Sequence, residues 1–317
     1  ETVIGFLIRR IGQAILVMIL VTAATLGLVH LFPGGPVRAL LGPKATATQI
    51  AFYNHQYGFD RPFYVQYLKW VNQLLHGNLG VSDKLNLPVT TLIGQDLPKT
   101  ATLAVLGLFF ALLFGITLGV YQAVHRNSVA DYVLTGLSFL GYSTPVFFLG
   151  IVLVDWFAVD SHVFPPFGPQ NTSSVWAILG DPRALVLPVF TYAFTFYAIW
   201  SRYMRSSVLD NLVQDYVRTA RAKGASETRV VWGHVFRNSL VTIVTLLGLS
   251  LPAVVGGAIL IEDVFNYPGM GLAFYQAALN NDFNVLLGLT VLAVTATVIG
   301  NLLADIGYGL LDPRVRY

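Results

Sequence analysis

A chain of 317 residues that is 55% hydrophobic and only 11% charged has too little polar surface to cover one or two ordinary water-soluble domains, so lipid is its expected solvent. Its net charge of +3 is carried by basic clusters between apolar runs, which excludes the continuous basic stripe that nucleic acid requires. With no cysteine, disulfides, thiol catalysis and Cys-based zinc sites are excluded too.

Arg9 and Arg10 precede an apolar stretch at residues 11–32. This stretch is longer than the core of a secretory signal, which runs to about 7–15 residues, and no small-residue cleavage site follows it. It reads as a retained first membrane helix. Five further stretches, at 101–121, 133–157, 185–200, 239–260 and 285–303, approach the roughly 20 residues that a helix needs to cross the hydrocarbon. Pro145, Pro188 and Pro252 fall inside three of them and predict kinked helices in a packed bundle, where neighbours satisfy the freed carbonyls. The expected class is therefore an all-α integral membrane protein with six transmembrane helices.

Orientation follows from lysine and arginine, which favour the cytoplasmic side. With the N-terminus inside, the inner segments hold twelve of the nineteen: Arg9, Arg10, Arg126, seven between 201 and 238, Arg314 and Arg316. The outer stretch 261–284 has Glu262, Asp263 and Asp282 and no basic residue. The arrangement is N-in and C-in. The long first outer loop then forms an external lobe, giving a division into residues 1–32 (tail and first helix), 33–99 (lobe), 100–305 (transmembrane core) and 306–317 (cytoplasmic tail).

Within the core, the inner loop 201–238 is the most informative segment. Met204, Val208, Leu212, Tyr216 and Ala220 recur every fourth residue and predict one amphipathic helix. Gly224 interrupts it, and Ser226 with Glu227 can open a second helix through Val230, Val231 and Val235. A basic helix–turn–helix of this kind can rest on anionic lipid or dock a cytoplasmic partner, and the pattern alone leaves both open.

The run Asp215-Tyr-Val-Arg-Thr-Ala-Arg-Ala-Lys-Gly224 resembles the coupling-loop signature of ABC importer permeases, in the form found in the oligopeptide, dipeptide and nickel branch. The wider signature has Glu-Ala-Ala where this chain has Arg218, Thr219 and Ala220, a departure typical of that branch, in which the carboxylate for the usual glutamate's salt bridge is missing. The resemblance extends through Phe32-Pro-Gly-Gly-Pro36, Tyr57-Gly-Phe-Asp-Arg-Pro62, Gln66-Tyr67, Trp70 and His76-Gly-Asn-Leu-Gly80. It continues through the stretches 203–209 and 234–238, Gly256-Gly257, Glu262, Phe265, Tyr267-Pro-Gly-Met-Gly271 and 301–314. Gly35, Asn78 and Thr242 depart from it locally.

What the resemblance implies is a type I ABC importer permease fold in a bacterial cytoplasmic (inner) membrane. It further implies a pathway shared with a second, homologous permease, two cytoplasmic ATPase subunits and an extracytoplasmic substrate-binding protein. Asp215, Tyr216, Arg218, Thr219, Ala220, Arg221, Ala222, Lys223, Gly224 and Ala225 would couple to the ATPase, and Tyr57, Asp60, Arg61, Gln66 and Trp70 would face the binding protein. Di- or oligopeptides are the implied substrates, with nickel or glutathione as alternatives. ATP and Mg would sit on the partner subunits and no cofactor or metal in this chain.

The remaining signals are isolated. Asp155 is a carboxylate inside the third apolar run, either functional or in contact with interfacial water. Asp305 and Asp312 read as structural. No lysine follows a glycine, so the phosphate-cradling GxxxxGK[ST] loop is missing and the chain is not itself a P-loop ATPase. The HExxH and GxSxG arrangements are missing as well, so the chain reads as a transporter subunit and not an enzyme. A gradient-driven secondary transporter is the rival from another class, and it would place ionisable residues near the bilayer midplane.

Overall fold

The computed structural model describes residues 3–31, 35–42, 44–170, 174–256 and 259–311; side chains at 3, 4, 6, 7, 29, 39, 40, 248–256 and 303–311 are left out. The described elements are helices: α1 (Val3–His30), α2 (Gly35–Leu41), α3 (Ala47–Tyr57), α4 (Phe63–Leu75), α5 (Val89–Val124), α6 (Val129–Ser143), α7 (Val146–Val154), α8 (Val175–Leu179), α9 (Pro182–Leu212), α10 (Asp215–Ala222), α11 (Glu227–Val230), α12 (Phe236–Gly256), α13 (Ile259–Val264), α14 (Met270–Asn280) and α15 (Phe283–Leu311). Single π-helical stretches extend α7 through Asp155–Asp160 and join α11 to α12 through Val231–Val235.

Among the described residues five helices are long and apolar enough to cross a bilayer, and a sixth crossing is made if the bent pair α6–α7 counts as one span. That pair corrects the single kinked helix expected at 133–157: the two halves meet at 100°. Thr144 is extended (φ −78°, ψ 123°), the conformation forced on a residue before proline, and Pro145 then starts the second half. Pro188, by contrast, lies inside the unbroken α9. Pro252 is inside α12, but its side chain lies outside the described residues, as do Asp305's side chain, Asp312, Gly257, residues 32–34 and the tail from 312.

The core of the bundle is the pairing of α5 with α9. Gly107, Ala111, Gly115 and Gly119 recur every fourth residue along one side of α5, and all four are buried. A Cβ at Gly115 would stand 2.6 Å from the Trp200 Cβ, and one at Gly119 would stand 2.7 Å from the Ser201 carbonyl oxygen. Backbone therefore meets backbone, as small-residue stripes permit in membranes, where no hydrophobic drive separates helix from lipid. The 36 residues of α5 span about 54 Å at the usual helical rise, more than the hydrocarbon is thick, so its ends reach both surfaces.

Gly119→Ala forces that contact apart. It is expected to lower stability by about 1–3 kcal/mol, the usual cost of overpacking, read as a lower unfolding temperature of the detergent-solubilised protein. Gly136→Ala in α6, where an added Cβ meets no atom within 4 Å, is expected to leave it unchanged or raised.

Candidate functional site

The inner loop folds differently from its periodicity. The fourfold pattern suggests one amphipathic helix from Met204 to Ala220, but α9 carries Met204 and Val208 to Leu212 and stops. Gln214 is extended (φ −73°, ψ 155°) and opens the separate α10. A polar seam makes the break: the Tyr216 hydroxyl donates to Asn211 Oδ1 at 2.7 Å, and Asn211 Nδ2 donates to the Ser207 carbonyl at 2.8 Å and to Ser239 Oγ at 3.3 Å. Asn211 thus joins α9, α10 and α12.

The second expected helix is present as α11, and it is continuous with the fifth span through the π-helical stretch. Val230, Val231 and Val235 are buried, in one cluster with Met204, Val208 and Val217. Ser226 occupies the N-cap position without a side-chain cap bond.

Between α10 and α11 the chain reverses at Gly224, whose φ of +79° is a left-handed conformation that other residues adopt only under strain. No atom lies within 4 Å of a Cβ built there, so the constraint is purely conformational. Across this turn Arg221 grips Glu227 with both forks of its guanidinium, at 2.7 and 3.0 Å.

Of the ten residues expected to couple, Tyr216, Ala220 and Ala225 are half-buried, and Asp215, Arg218, Thr219, Ala222, Lys223 and Gly224 are exposed. Arg221 is exposed as well but already paired. Arg218 makes a loose 3.4 Å contact with Asp215. Beside α10 lies a concave surface lined by Tyr216, Thr219, Lys223, Arg229 and His234 among others, with no carboxylate in its wall.

Further ties hold the inner end. Arg205 donates to Asp131 through Nε at 3.1 Å and Nη2 at 2.9 Å, linking α9 to the start of α6. Gln122 accepts from Ser201 at 2.8 Å and donates to Thr135 at 3.2 Å, joining α5, α9 and α6.

At the outer side, Tyr57, Arg61, Gln66 and Trp70 line one cleft of about 520 Å³, together with Lys69, Gln73 and Asp83, and closed by Phe283, Asn284 and Leu287 of α15. Asp60 is not in it; it pairs with His55 at 2.8 Å. Asp155 is exposed at the end of α7.

Glu262 is the feature that periodicity does not reveal. It is fully buried in α13, beyond the apolar spans. Its Oε1 accepts from Thr100 Oγ1 at 2.7 Å and its Oε2 from the Leu272 N–H at 2.9 Å, while Thr100 accepts from the Met270 N–H at 2.8 Å. The carboxylate thus caps α14, whose N-cap Gly269 has no side chain to do so. The glycines of Tyr267-Pro-Gly-Met-Gly271 are the visible signal: a Cβ at Gly269 would stand 2.5 Å from Glu262 Cδ and from Thr100 Oγ1.

This combination of bilayer-length helices, external lobe and hinged basic protrusion between two spans defines a multi-pass membrane transport subunit. Residues 115–317 match the binding-protein-dependent transport system inner membrane component family, and residues 3–104 match its N-terminal region. The chain belongs to that family. It is 36% identical over 314 residues to the oligopeptide transport system permease protein AppB of Bacillus subtilis, covering 99% of each chain. A putative peptide permease of Brucella ovis is 40% identical over 292 residues (91% of this chain, 92% of that one). The glutathione transport system permease GsiC of Salmonella choleraesuis is 34% identical over 314 residues (99% of each). The inward-facing MetNI methionine ABC transporter shares the fold, with a TM-score of 0.56 at 18% identity over 70% of this chain and 96% of that one.

Burial pushes Glu262 up to about 7 from its ordinary 4.5; Asp96 adds to the rise, and Thr100 with the Leu272 and Gly271 N–H groups opposes it. An acid raised by folding contributes stability that is complete below its ordinary value and lost as pH climbs through the folded one. The unfolding temperature of the purified protein is accordingly expected to fall between about pH 5 and pH 8, with Glu262→Gln flattening the slope. Glu262→Ala, which strands the Thr100 and Leu272 donors, is expected to cost about 1–3 kcal/mol.

Proposed function

We propose that this chain forms half of the translocation pathway of an ATP-driven importer for di- or oligopeptides in a bacterial cytoplasmic membrane, beside a second, homologous permease. Two cytoplasmic ATPase subunits, which carry the ATP and Mg, grip the α10–Gly224–α11 element, and an extracytoplasmic binding protein delivers substrate to the lobe cleft. The observation that carries the coupling role is the exposed basic turn itself: its outer face is free while Val217, fully buried, roots it in the cluster shared by α5, α9 and α12. Closure of the ATPase pair on ATP would move α10, and the packed helices would pass that displacement to the pathway.

Peptides are the favoured cargo because AppB and the Brucella protein carry that word in their names and match nearly the whole chain. Glutathione, itself a tripeptide, is the second reading that a relative favours. Lobe residues Tyr57, Arg61, Gln66 and Trp70 would face the binding protein, with Asp60 orienting the α3–α4 turn through His55.

Arg218→Glu and Gly224→Val are expected to abolish ATP-dependent uptake of labelled peptide while leaving the amount of chain in the membrane unchanged. At Gly224 the strain of a β-branched residue at positive φ is about 1–3 kcal/mol, enough to tilt the turn without unfolding the bundle. Normal uptake by both variants would overturn the docking role, and competition by unlabelled glutathione but not by peptides would overturn the cargo.

A further inference from the structure

We infer that α4 is an interfacial helix, its apolar stripe resting in the lipid of the outer leaflet and its opposite side forming a wall of the lobe cleft. At 100° per residue, Tyr64, Leu68, Val71 and Leu75 fall in one stripe, and Gln66, Lys69, Trp70 and Gln73 fall on the other side. The structure separates them the same way. The second set lines the cleft, whereas Tyr64, Leu68 and Leu75 are 66%, 62% and 79% exposed. The helix has one charge, Lys69, and it lies on the cleft side.

Depth distinguishes lipid from water as the stripe's surroundings. The Tyr67 hydroxyl shares a 2.9 Å hydrogen bond with Thr22 Oγ1 and donates to the Ile19 carbonyl at 3.3 Å. The apolar span of α1 runs from Ile8 to Leu28. Thr22 therefore lies six residues inside its end, about 9 Å by helical rise, within the 5–10 Å to which interfacial helices bury their apolar faces. The start of α4 is held at the rim of the same span, where Phe63 is 4.0 Å from a Cβ built on Gly27 and packs edge-on against His30 at 6.0 Å. The helix to which α4 is moored presents Leu16, Leu20 and Leu28 to the outside, 56–60% exposed, so apolar side chains face outward on both helices. A polar seam at Thr22 fits this depth, because a hydroxyl pair is the cheapest way to hold two helices together where water is scarce.

The consequence is positional. A lobe seated in the headgroup layer holds the Gln66–Lys69–Trp70–Gln73 face at the membrane surface, beside the outer end of α15, instead of standing off in solvent.

The chain has no cysteine, so single-cysteine variants report one position each. The test uses the assembled complex in nanodiscs, with Leu68→Cys, Leu75→Cys and Lys69→Cys each carrying a bimane fluorophore. The expected result is that lipid-borne nitroxides near the headgroups quench the labels at 68 and 75 severalfold more than aqueous iodide does, and that the ratio inverts at 69. Iodide quenching at 68 and 75 would overturn the inference in favour of a solvated helix. Protection from both quenchers would overturn it in favour of a protein neighbour, either the second permease or the binding protein.

Discussion

The close approach of α5 and α9 is the constraint on which the rest of the molecule depends. A stripe with no side chain larger than a methyl lets the two backbones touch through the bilayer, and each helix then carries one functional end beyond it. At the outer end, Thr100 on α5 holds Glu262 and through it the start of α14, while Tyr267 donates to the Lys99 carbonyl at 2.8 Å. At the inner end, α9 carries Asn211 and the buried Met204 and Val208, against which α10 is set. Such close packing leaves few voids between the two helices, and protein interiors packed in this way are poorly compressible.

Within the protrusion, magnitudes separate geometry from stability. The Arg221–Glu227 pair is well formed but exposed, and water screens such pairs so strongly that it cannot hold the element together. Burial of Val217, Val230, Val231 and Val235 supplies the hold, at about 1.5–3 kcal/mol for each fully buried side chain. What the ion pair does is span the turn at Gly224, tying the end of α10 to the start of α11. It also removes Arg221 from the charges available to a partner, leaving Lys223 and Arg229 beside a concavity with no acid in it.

The sequence was legible where a signal is local and long. Apolar runs announced the spans, and the density of lysine and arginine gave an expected orientation. Gly224 announced the turn, because a lone glycine ending an amphipathic pattern has few other uses. Legibility failed where one period runs through two structures: Met204 to Ala220 keep a single phase across the break at Val213 and Gln214, since both helices pack on the same cluster. It failed again where proline has two outcomes. Pro145 sits at a 100° bend and Pro188 in an unbroken helix, and only the neighbouring helices decide between them. The carboxylate cage was beyond reach for a different reason, as Glu262 and Thr100 are 162 residues apart.

Glu262 also shows why a buried charge at this position is tolerable. An isolated carboxylate in an apolar interior costs far more than a helix cap returns, and folding answers by raising its proton affinity until the neutral form is accessible near pH 7. The Leu272 and Gly271 N–H groups and the Thr100 hydroxyl then serve either form, accepting the ionised group as a cap or the protonated one as a hydrogen-bonded acid. The residue that closes the outer end of the helix pair is thus held by donors that do not require its charge.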